Sequence, residues 1–175
     1  LRPWVVCLGC GLSLFTVMGL GVNVFTVYQP HLLLVHGFTN AQGSWITTVR
    51  SLFALLSMLT VDQLCRRLGL RNTMVLGMGC FVGSYLLFGF AHSFSAYCGG
   101  AVLSGLAYGY GGMIPLTLVI SRWFPTGRGF ALGMAAAGSG ISTIFAPPLI
   151  TGAIQALGLS AAFLWEAAAG VLLTL

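Results

Sequence analysis

Long apolar runs that are almost free of charge constrain this chain more than any other feature. Each run approaches or exceeds the roughly 20 residues that a helix needs to cross a bilayer. Charged residues make up 5% of the 175 positions, whereas a soluble domain carries about a quarter. The runs also lack the alternation of apolar and polar residues that marks membrane barrel strands. The sequence therefore predicts an all-α membrane protein and excludes a soluble globular domain.

The apolar runs predict a single domain of six membrane-spanning helices. Thr39 and Gln42 have the spacing of a capping box, which predicts that a helix begins there. Leu1 is not an initiator methionine and Leu175 lies within an apolar run, so we expect the chain to be cut from a longer one. We place the helices near residues 4–28, 42–65, 73–91, 96–120, 128–155 and 160–175.

Arginine positions predict the direction of the bundle. The formal charge of +5 comes from seven arginines, with no lysine, against two acids. The positive-inside rule places basic connections in the cytoplasm, so we expect a cytoplasmic N-terminus and no nucleic-acid partner. Six arginines occupy alternate connections: Arg2 before the first helix, Arg66, Arg67 and Arg71 between the second and third, and Arg122 and Arg128 between the fourth and fifth.

Two stretches carry a resemblance to a known family. Residues 66–71, RRLGLR, resemble the basic, glycine-containing loop that follows the second helix in major facilitator transporters. Residues 122–129, RWFPTGRG, continue into a glycine-rich helix that closes in Pro147 and Pro148. This longer stretch is similar to the oxalate/formate antiporter and monocarboxylate transporter branch, as are Pro3-Trp4 and residues 23–25, NVF.

The resemblance implies a fold, a mechanism and partners. The chain would be the N-terminal six-helix half of a twelve-helix fold, built from two inverted three-helix repeats and completed by a C-terminal half. Transport would proceed by alternating access across the plasma membrane, without a cofactor. It would occur by symport, by antiport or down a simple gradient. The resemblance also implies gating or structural roles at the basic connections, for Asp62, Arg66, Arg67, Gly69, Arg71 and Arg128.

Arg50 is the strongest candidate for a substrate-binding residue. Placing a charged side chain within a membrane span costs roughly 2.5 kcal/mol or more, so we expect a compensating group close to Arg50. Thr47 lies on the same stripe of small and polar residues, three positions earlier. We expect the guanidinium to pair with a substrate carboxylate in an aqueous cavity. The alternative is an arginine that snorkels to the headgroups or bonds to the other half of the protein.

The first and fourth helices are expected to line the transport path, because the resemblance places them there. Asn23 and Tyr28 on the first helix, and Tyr108 on the fourth, are therefore predicted substrate-binding residues. The alternative for these side chains is ordinary hydrogen bonding between helices. Glu166 lies inside the sixth helix, where a carboxyl is either neutral, paired or a proton carrier.

Metal and disulfide chemistry are not expected. The five cysteines fall within or at the ends of apolar runs, where they behave as small apolar residues. His31, His36 and His92 are predicted in connections, without cysteines or carboxylates spaced to complete a metal site.

Three alternatives to a small organic-anion transporter remain. Residues 137–140, AGSG, suggest an intramembrane serine protease, but no histidine follows position 92 to act as its base. A six-span channel or assembly partner is the second alternative. A major facilitator transporter of neutral metabolites, sugars or drugs is the third.

Overall fold

The computed structural model describes residues 2–91, 93–124 and 127–174, which form six helical spans. No strand occurs among the described residues, so the all-α class is confirmed. The spans are α1, formed by Arg2–Leu14, Phe15–Asn23 and Phe25–His36; α2, Asn40–Leu68; α3, Leu70–Phe90; α4, formed by Phe94–Gly111 and Met113–Trp123; α5, Arg128–Leu157; and α6, Leu159–Thr174.

Several helix ends differ from the sequence-based limits. α1 continues to His36 instead of ending near residue 28, because the chain stays helical until Gly37, whose φ is 64°. α2 begins at Asn40, and the predicted capping box is confirmed at its start. The Gln42 amide donates to the Thr39 hydroxyl at 3.3 Å, and the Thr39 amide donates to Gln42 Oε1 at 3.0 Å.

Two connections consist of a single glycine. Gly69 joins α2 to α3 with φ of 84°, and Gly158 joins α5 to α6 with φ of 86°. These backbone angles favour glycine, because a Cβ atom would be strained there. Each glycine amide also donates to a carbonyl of the helix that ends, at Cys65 and at Ile154. The chain therefore reverses direction at once, and the joined helices run antiparallel.

Close pairs of parallel helices organise the bundle. α2 and α4 approach through Ser57, whose hydroxyl donates to the Gly105 carbonyl at 3.1 Å. α1 and α5 approach through Gly19, where an added Cβ would collide with the Ser142 side chain. α3 packs between α4 and α6 and runs antiparallel to both. Small residues at these contacts let the backbones come together, as in other membrane bundles.

The largest core cluster draws residues from every span, and its aromatic part lies mainly between α1, α3 and α6. Tyr28 stacks on Phe163 with ring centroids 4.1 Å apart. Phe88 contacts both Tyr85 and Phe163, at 5.8 and 5.5 Å between centroids. All four side chains are fully buried. This cluster holds α6 against the rest of the bundle.

Two spans depart from regular α-helix. Residues Phe15–Asn23 of α1 form a π-helix, a conformation that is rare and is frequent at functional sites. α4 is interrupted at Gly112, just before Pro115, in the glycine-rich segment that the sequence marks. Pro147 and Pro148, in contrast, lie within α5 without interrupting it. The irregular backbone is thus in α1 and α4.

Five spans, α1 to α5, are long and apolar enough to cross a membrane, and the described part of α6 is apolar but shorter. Large apolar side chains lie exposed along the outer faces of α2 and α5, including Leu52, Leu59, Ile144 and Leu149. Such faces suit a lipid solvent, in which helices associate through small and polar contacts. The architecture is therefore a membrane-spanning helix bundle.

Candidate functional site

Arg50 lies where α2 and α4 are closest. A Cβ added to Gly105 would be 2.5 Å from the Arg50 carbonyl oxygen, and one added to Gly109 would collide with Ser57. Only residues without a side chain allow these two backbones to meet in this way. The α2–α4 contact therefore fixes the position of the Arg50 backbone, from which the side chain extends toward α1.

The Arg50 side chain is buried, with 8% of its surface exposed. It starts ten positions after Asn40, about 15 Å along α2 at 1.5 Å per residue. Its guanidinium carbon lies 5.0 Å from the centroid of the Phe25 ring on α1. A guanidinium over an aromatic face is attracted by the electron-rich ring. Phe25 therefore holds the charge within the bundle.

Neither acid of the sequence neutralises Arg50. Asp62 pairs with Arg66, at 3.0 Å between Oδ2 and Nη2, on the exposed surface. Both carboxyl oxygens of Glu166 are buried without a hydrogen-bond partner. Within the described chain, the positive charge of Arg50 is balanced by no carboxylate.

A cavity of about 480 Å³ opens beside Arg50, between α1, α2 and α4. This volume lies in the range of small-molecule sites, about 300–1,000 Å³. Its wall combines one charge, several hydroxyl or amide groups and apolar side chains. The residues are Val22, Phe25, Thr26, Gln29, Thr47, Arg50, Ser51, Ala54, Leu55, Met58 and Tyr108.

A second, polar pocket adjoins the cavity toward the start of α2. It measures about 380 Å³ and shares Gln29, Thr47 and Ser51 with the main cavity. Ser44 and Thr48 complete its lining. Hydroxyl and amide groups thus lead from the end of the bundle to the guanidinium, a path that suits hydrated, hydrogen-bonding solutes.

Three of the five predicted substrate-binding residues meet at the cavity: Arg50, Thr47 and Tyr108. Asn23 lies elsewhere on α1, and its side-chain amide donates to the Thr143 hydroxyl of α5 at 2.7 Å. Tyr28 is fully buried in the aromatic cluster, away from the cavity lining. The difference arises because Asn23 and Tyr28 point to the α5 and α6 sides of α1.

Sequence reasoning missed Phe25 and Ser51 as cavity residues. The signal for Phe25 was its helical spacing: Val22, Phe25 and Gln29 follow one face of α1. Nothing in the sequence indicated that this face meets Arg50, since that contact depends on how α1 and α2 are placed.

Glu166 is a second polar residue inside the bundle, and it lies between α1, α3 and α6. The Tyr28 hydroxyl is beside the Glu166 carboxyl and also lacks a hydrogen bond of good geometry. Tyr85 lies within electrostatic range of both Glu166 and Arg50. Glu166 is fully buried, with 0% of its surface exposed.

The basic connections lie at the end of the bundle opposite the mouth of the cavity. The ion pair that spacing predicts between Asp62 and Arg66 is confirmed. Arg67, Gly69 and Arg71 are exposed in the turn from α2 to α3. Arg128 Nε donates to the Phe124 carbonyl at 3.2 Å and so links the start of α5 to the end of α4.

A larger groove, of about 860 Å³, lies between α1, α3 and α6. Its lining is apolar apart from Ser13, with residues such as Met74, Met78 and Leu86, and includes no charged residue in the described chain. Such a surface suits lipid chains better than a polar solute. Among the described residues, no group of three metal-ligating side chains is brought together.

The fold and the cavity define a class: a membrane-spanning helix bundle with a ligand-sized cavity that combines one arginine, hydroxyl and amide groups and apolar side chains. A family model described as the Major Facilitator Superfamily matches residues 10–175. The chain belongs to the Major Facilitator Superfamily, a family of membrane transporters and not of enzymes. The six spans are accordingly a partial major facilitator bundle.

A curated relative supports this membership. The MFS-type transporter pynF of Aspergillus niger (strain ATCC MYA-4892 / CBS 513.88 / FGSC A1513) is 26% identical over 149 residues. The match covers 82% of this chain and 33% of pynF. The chain thus spans about a third of the length of this relative. These similarities establish the superfamily, and they do not identify a branch within it.

Proposed function

We propose that this chain forms the anion-binding half of a secondary transporter for small organic anions, mono- or dicarboxylates. The observation that carries the proposal is Arg50, a buried cation that no acid of the chain neutralises. A carboxylate in the adjacent cavity would pair with the guanidinium and accept hydrogen bonds from the surrounding hydroxyls. The resemblance to the oxalate/formate antiporter and monocarboxylate transporter branch points the same way.

The proposed mechanism is alternating access. The six helices rock against a C-terminal six-helix half of the same protein, exposing the cavity to each side of the membrane in turn. The irregular backbone of α1 and α4 supports this role, because both helices border the cavity and regular helices bend less easily. Asn23 then serves the movement by bonding α1 to α5, and substrate contact falls to Arg50, Thr47 and Tyr108.

The basic connections would lie in the cytoplasm, with the N-terminus on the same side and the protein in the plasma membrane. The positive-inside rule supports this orientation. Asp62, Arg66, Arg67, Gly69, Arg71 and Arg128 would act there as gating or structural residues, since they join neighbouring helices at that end. A cleavable N-terminal tag, tested for protease access in sealed vesicles of known sidedness, checks the orientation.

The proposal is tested on the full-length protein purified in detergent. Its melting temperature is measured against formate, lactate, oxalate and succinate, with sugars and amines in parallel. A ligand at about 100 times its Kd should stabilise the folded state by about 2.7 kcal/mol. We expect carboxylates to raise the melting temperature of the parent and to have no effect on Arg50→Gln.

Arg122→Gln is the matched control, because Arg122 is an exposed arginine at the other end of the bundle. It should respond to carboxylates as the parent does. Equal responses in the parent and in Arg50→Gln would contradict the anion site. A response to sugars or amines instead would favour a transporter of neutral metabolites, sugars or drugs, which the many neutral polar groups of the cavity also suit.

A further inference from the structure

The apolar groove between α1, α3 and α6, about 860 Å³ in volume, takes no part in the proposed anion site. Its lining is apolar except for Ser13, whose hydroxyl already donates to the Gly111 carbonyl at 3.4 Å. Gly9 and Gly79 belong to its wall, and a Cβ added to either would meet nothing within 4 Å. The groove is therefore open space with an apolar surface, and its described side chains offer a polar ligand no unbonded donor.

The α3 wall of the groove is one stripe of apolar side chains that begins beside Arg71. Met74, Val75 and Met78 follow Arg71 by three, four and seven positions, which is the spacing of one helix face. From Met74 to Leu86 the stripe extends about 18 Å at 1.5 Å per residue. One leaflet fills half of a hydrocarbon core about 30 Å thick. The groove is thus about as long as the lipid chains of one leaflet.

Arg71 places a positive charge at the end of this stripe. It is exposed in the first turn of α3, at the end of the bundle that carries the basic connections. Asp62 pairs with Arg66, at 3.0 Å between Oδ2 and Nη2, and Glu166 is fully buried. Within the described chain no carboxylate pairs with Arg71. Its charge is therefore available to an anionic group at the membrane surface.

We propose that this groove, with Arg71 at its end, binds an anionic phospholipid from the leaflet at the basic end of the bundle. One acyl chain lies along the α3 stripe, and the phosphate pairs with the Arg71 guanidinium. This inference goes beyond the proposed function and does not depend on the anion site at Arg50.

The two parts of the site match the two ends of one ligand. Leu12 and Val75 are exposed at the edge of the groove, so it opens at the surface of the bundle. The surrounding lipid tails are as apolar as the groove, so the acyl chain is positioned there without a large gain in affinity. The charge at Arg71 then decides which lipid binds, because basic pockets between spans attract anionic headgroups. An apolar helix of a second protein molecule would leave this charge unmatched.

Lipid titration of the full-length protein in detergent, after removal of bound lipid, tests the proposal. The probes are dioleoyl phosphatidylglycerol, which is anionic, and dioleoyl phosphatidylcholine, which has no net charge. Native mass spectrometry counts the bound lipids and gives the Kd of the first. We expect one saturable phosphatidylglycerol, bound about fivefold more tightly than phosphatidylcholine, which is the effect of one basic residue near an anionic lipid. Inorganic phosphate should not displace it.

Two pairs of variants locate the site. Arg71→Gln should remove the preference for phosphatidylglycerol, whereas Arg122→Gln, at an exposed arginine of α4, should keep it. Gly79→Leu places a side chain in the groove and should abolish saturable binding. Gly99→Leu adds the same side chain to α4, where a Cβ also meets nothing within 4 Å. It should bind phosphatidylglycerol as the parent does.

Several results would overturn the proposal. Equal affinity of the parent for the two lipids, or an unchanged preference in Arg71→Gln, would remove the charge contact. Undiminished binding in Gly79→Leu would exclude the groove, and a dimeric mass that only Gly79→Leu loses would show that a second copy fills it. Displacement by inorganic phosphate would show a phosphate site without a lipid chain. Arg71→Gln changes an exposed residue, so the test stays decisive if Gly79→Leu does not fold.

Discussion

Arg50 and Glu166 are both buried ionisable residues, and their surroundings differ. Arg50 borders a cavity of about 480 Å³ with hydroxyl and amide groups around it. Glu166 is enclosed by aromatic rings, with both oxygens unpartnered. The first environment admits a solute to the charge, while the second is closed to any solute among the described residues. The difference teaches that access, and not burial alone, decides which ligand a membrane-interior charge can take.

The two regions are also built differently. At the cavity, α2 and α4 meet backbone to backbone, at Gly105. At the sealed cluster, α3 and α6 meet through side chains: a Cβ added to Gly170 would lie 2.7 Å from Cε1 of the Phe81 ring. A ring can rotate away, whereas a helix backbone can only shift as a whole. The cavity wall should therefore tolerate less change than the cluster.

The largest expected effect is at Gly105. In Gly105→Ala the new Cβ would lie 2.5 Å from the Arg50 carbonyl oxygen and 2.9 Å from the Ala54 amide nitrogen. Separating the helices should cost about 1–3 kcal/mol and displace Arg50, so carboxylate binding should also be lost. Thermal unfolding and the ligand-induced shift measure both.

Two other glycine variants serve as controls for Gly105→Ala. Gly99→Ala on the same helix meets nothing within 4 Å, so it should leave stability unchanged or raise it by about 0.5–1 kcal/mol. Gly170→Ala should cost less than Gly105→Ala, because Phe81 can move. Equal losses at Gly105 and Gly170 would remove the distinction between the two regions.

Phe25→Leu should weaken anion binding while leaving the fold intact. The ring lies 5.0 Å from the Arg50 guanidinium carbon, and its loss frees the guanidinium from the cavity wall. We expect Kd to rise by about two- to thirtyfold, since a cation–π contact contributes about 0.5–2 kcal/mol. Phe90→Leu, at an exposed position of α3, should not change Kd. An unchanged Kd in Phe25→Leu would show that Phe25 does not orient Arg50.

Tyr85→Phe and Tyr28→Phe compare two buried hydroxyls of the sealed cluster. The Tyr85 hydroxyl bonds to carbonyls of the π-helical segment, so its removal should cost about 0.6 kcal/mol, the average for such bonds in membrane bundles. The Tyr28 hydroxyl lies beside the Glu166 carboxyl without a hydrogen bond of good geometry, so its removal should cost less or stabilise. Thermal unfolding of both variants at one pH checks the order, and the reverse order would contradict the hydrogen-bond assignment.

Asp62→Asn should have the smallest effect and provides a reference outside both regions. Its ion pair with Arg66 is exposed and local, spanning one turn of α2. We expect a loss of roughly 0.2–0.5 kcal/mol that shrinks with added salt. A loss as large as that of Gly105→Ala would indicate that this pair joins larger parts of the structure.

Apolar length and arginine spacing determined that this is a helical membrane protein with several spans, because a bilayer excludes unpaired backbone groups whatever the packing. The cost of an intramembrane charge likewise marked Arg50 and Glu166 in the sequence, and helical spacing marked the polar stripe that includes Thr47. Local chemistry determined the start of α2, since the side chains of Thr39 and Gln42 each bond to the backbone amide of the other residue.

Tertiary structure alone decided which residues share a site. Asn23, Phe25 and Tyr28 lie within six positions on α1, yet they face α5, the cavity and α6 respectively. The sequence shows that these side chains diverge around a helix, but not which neighbour each one meets. That depends on helix placement, which the close approaches at Gly19 and Gly105 set.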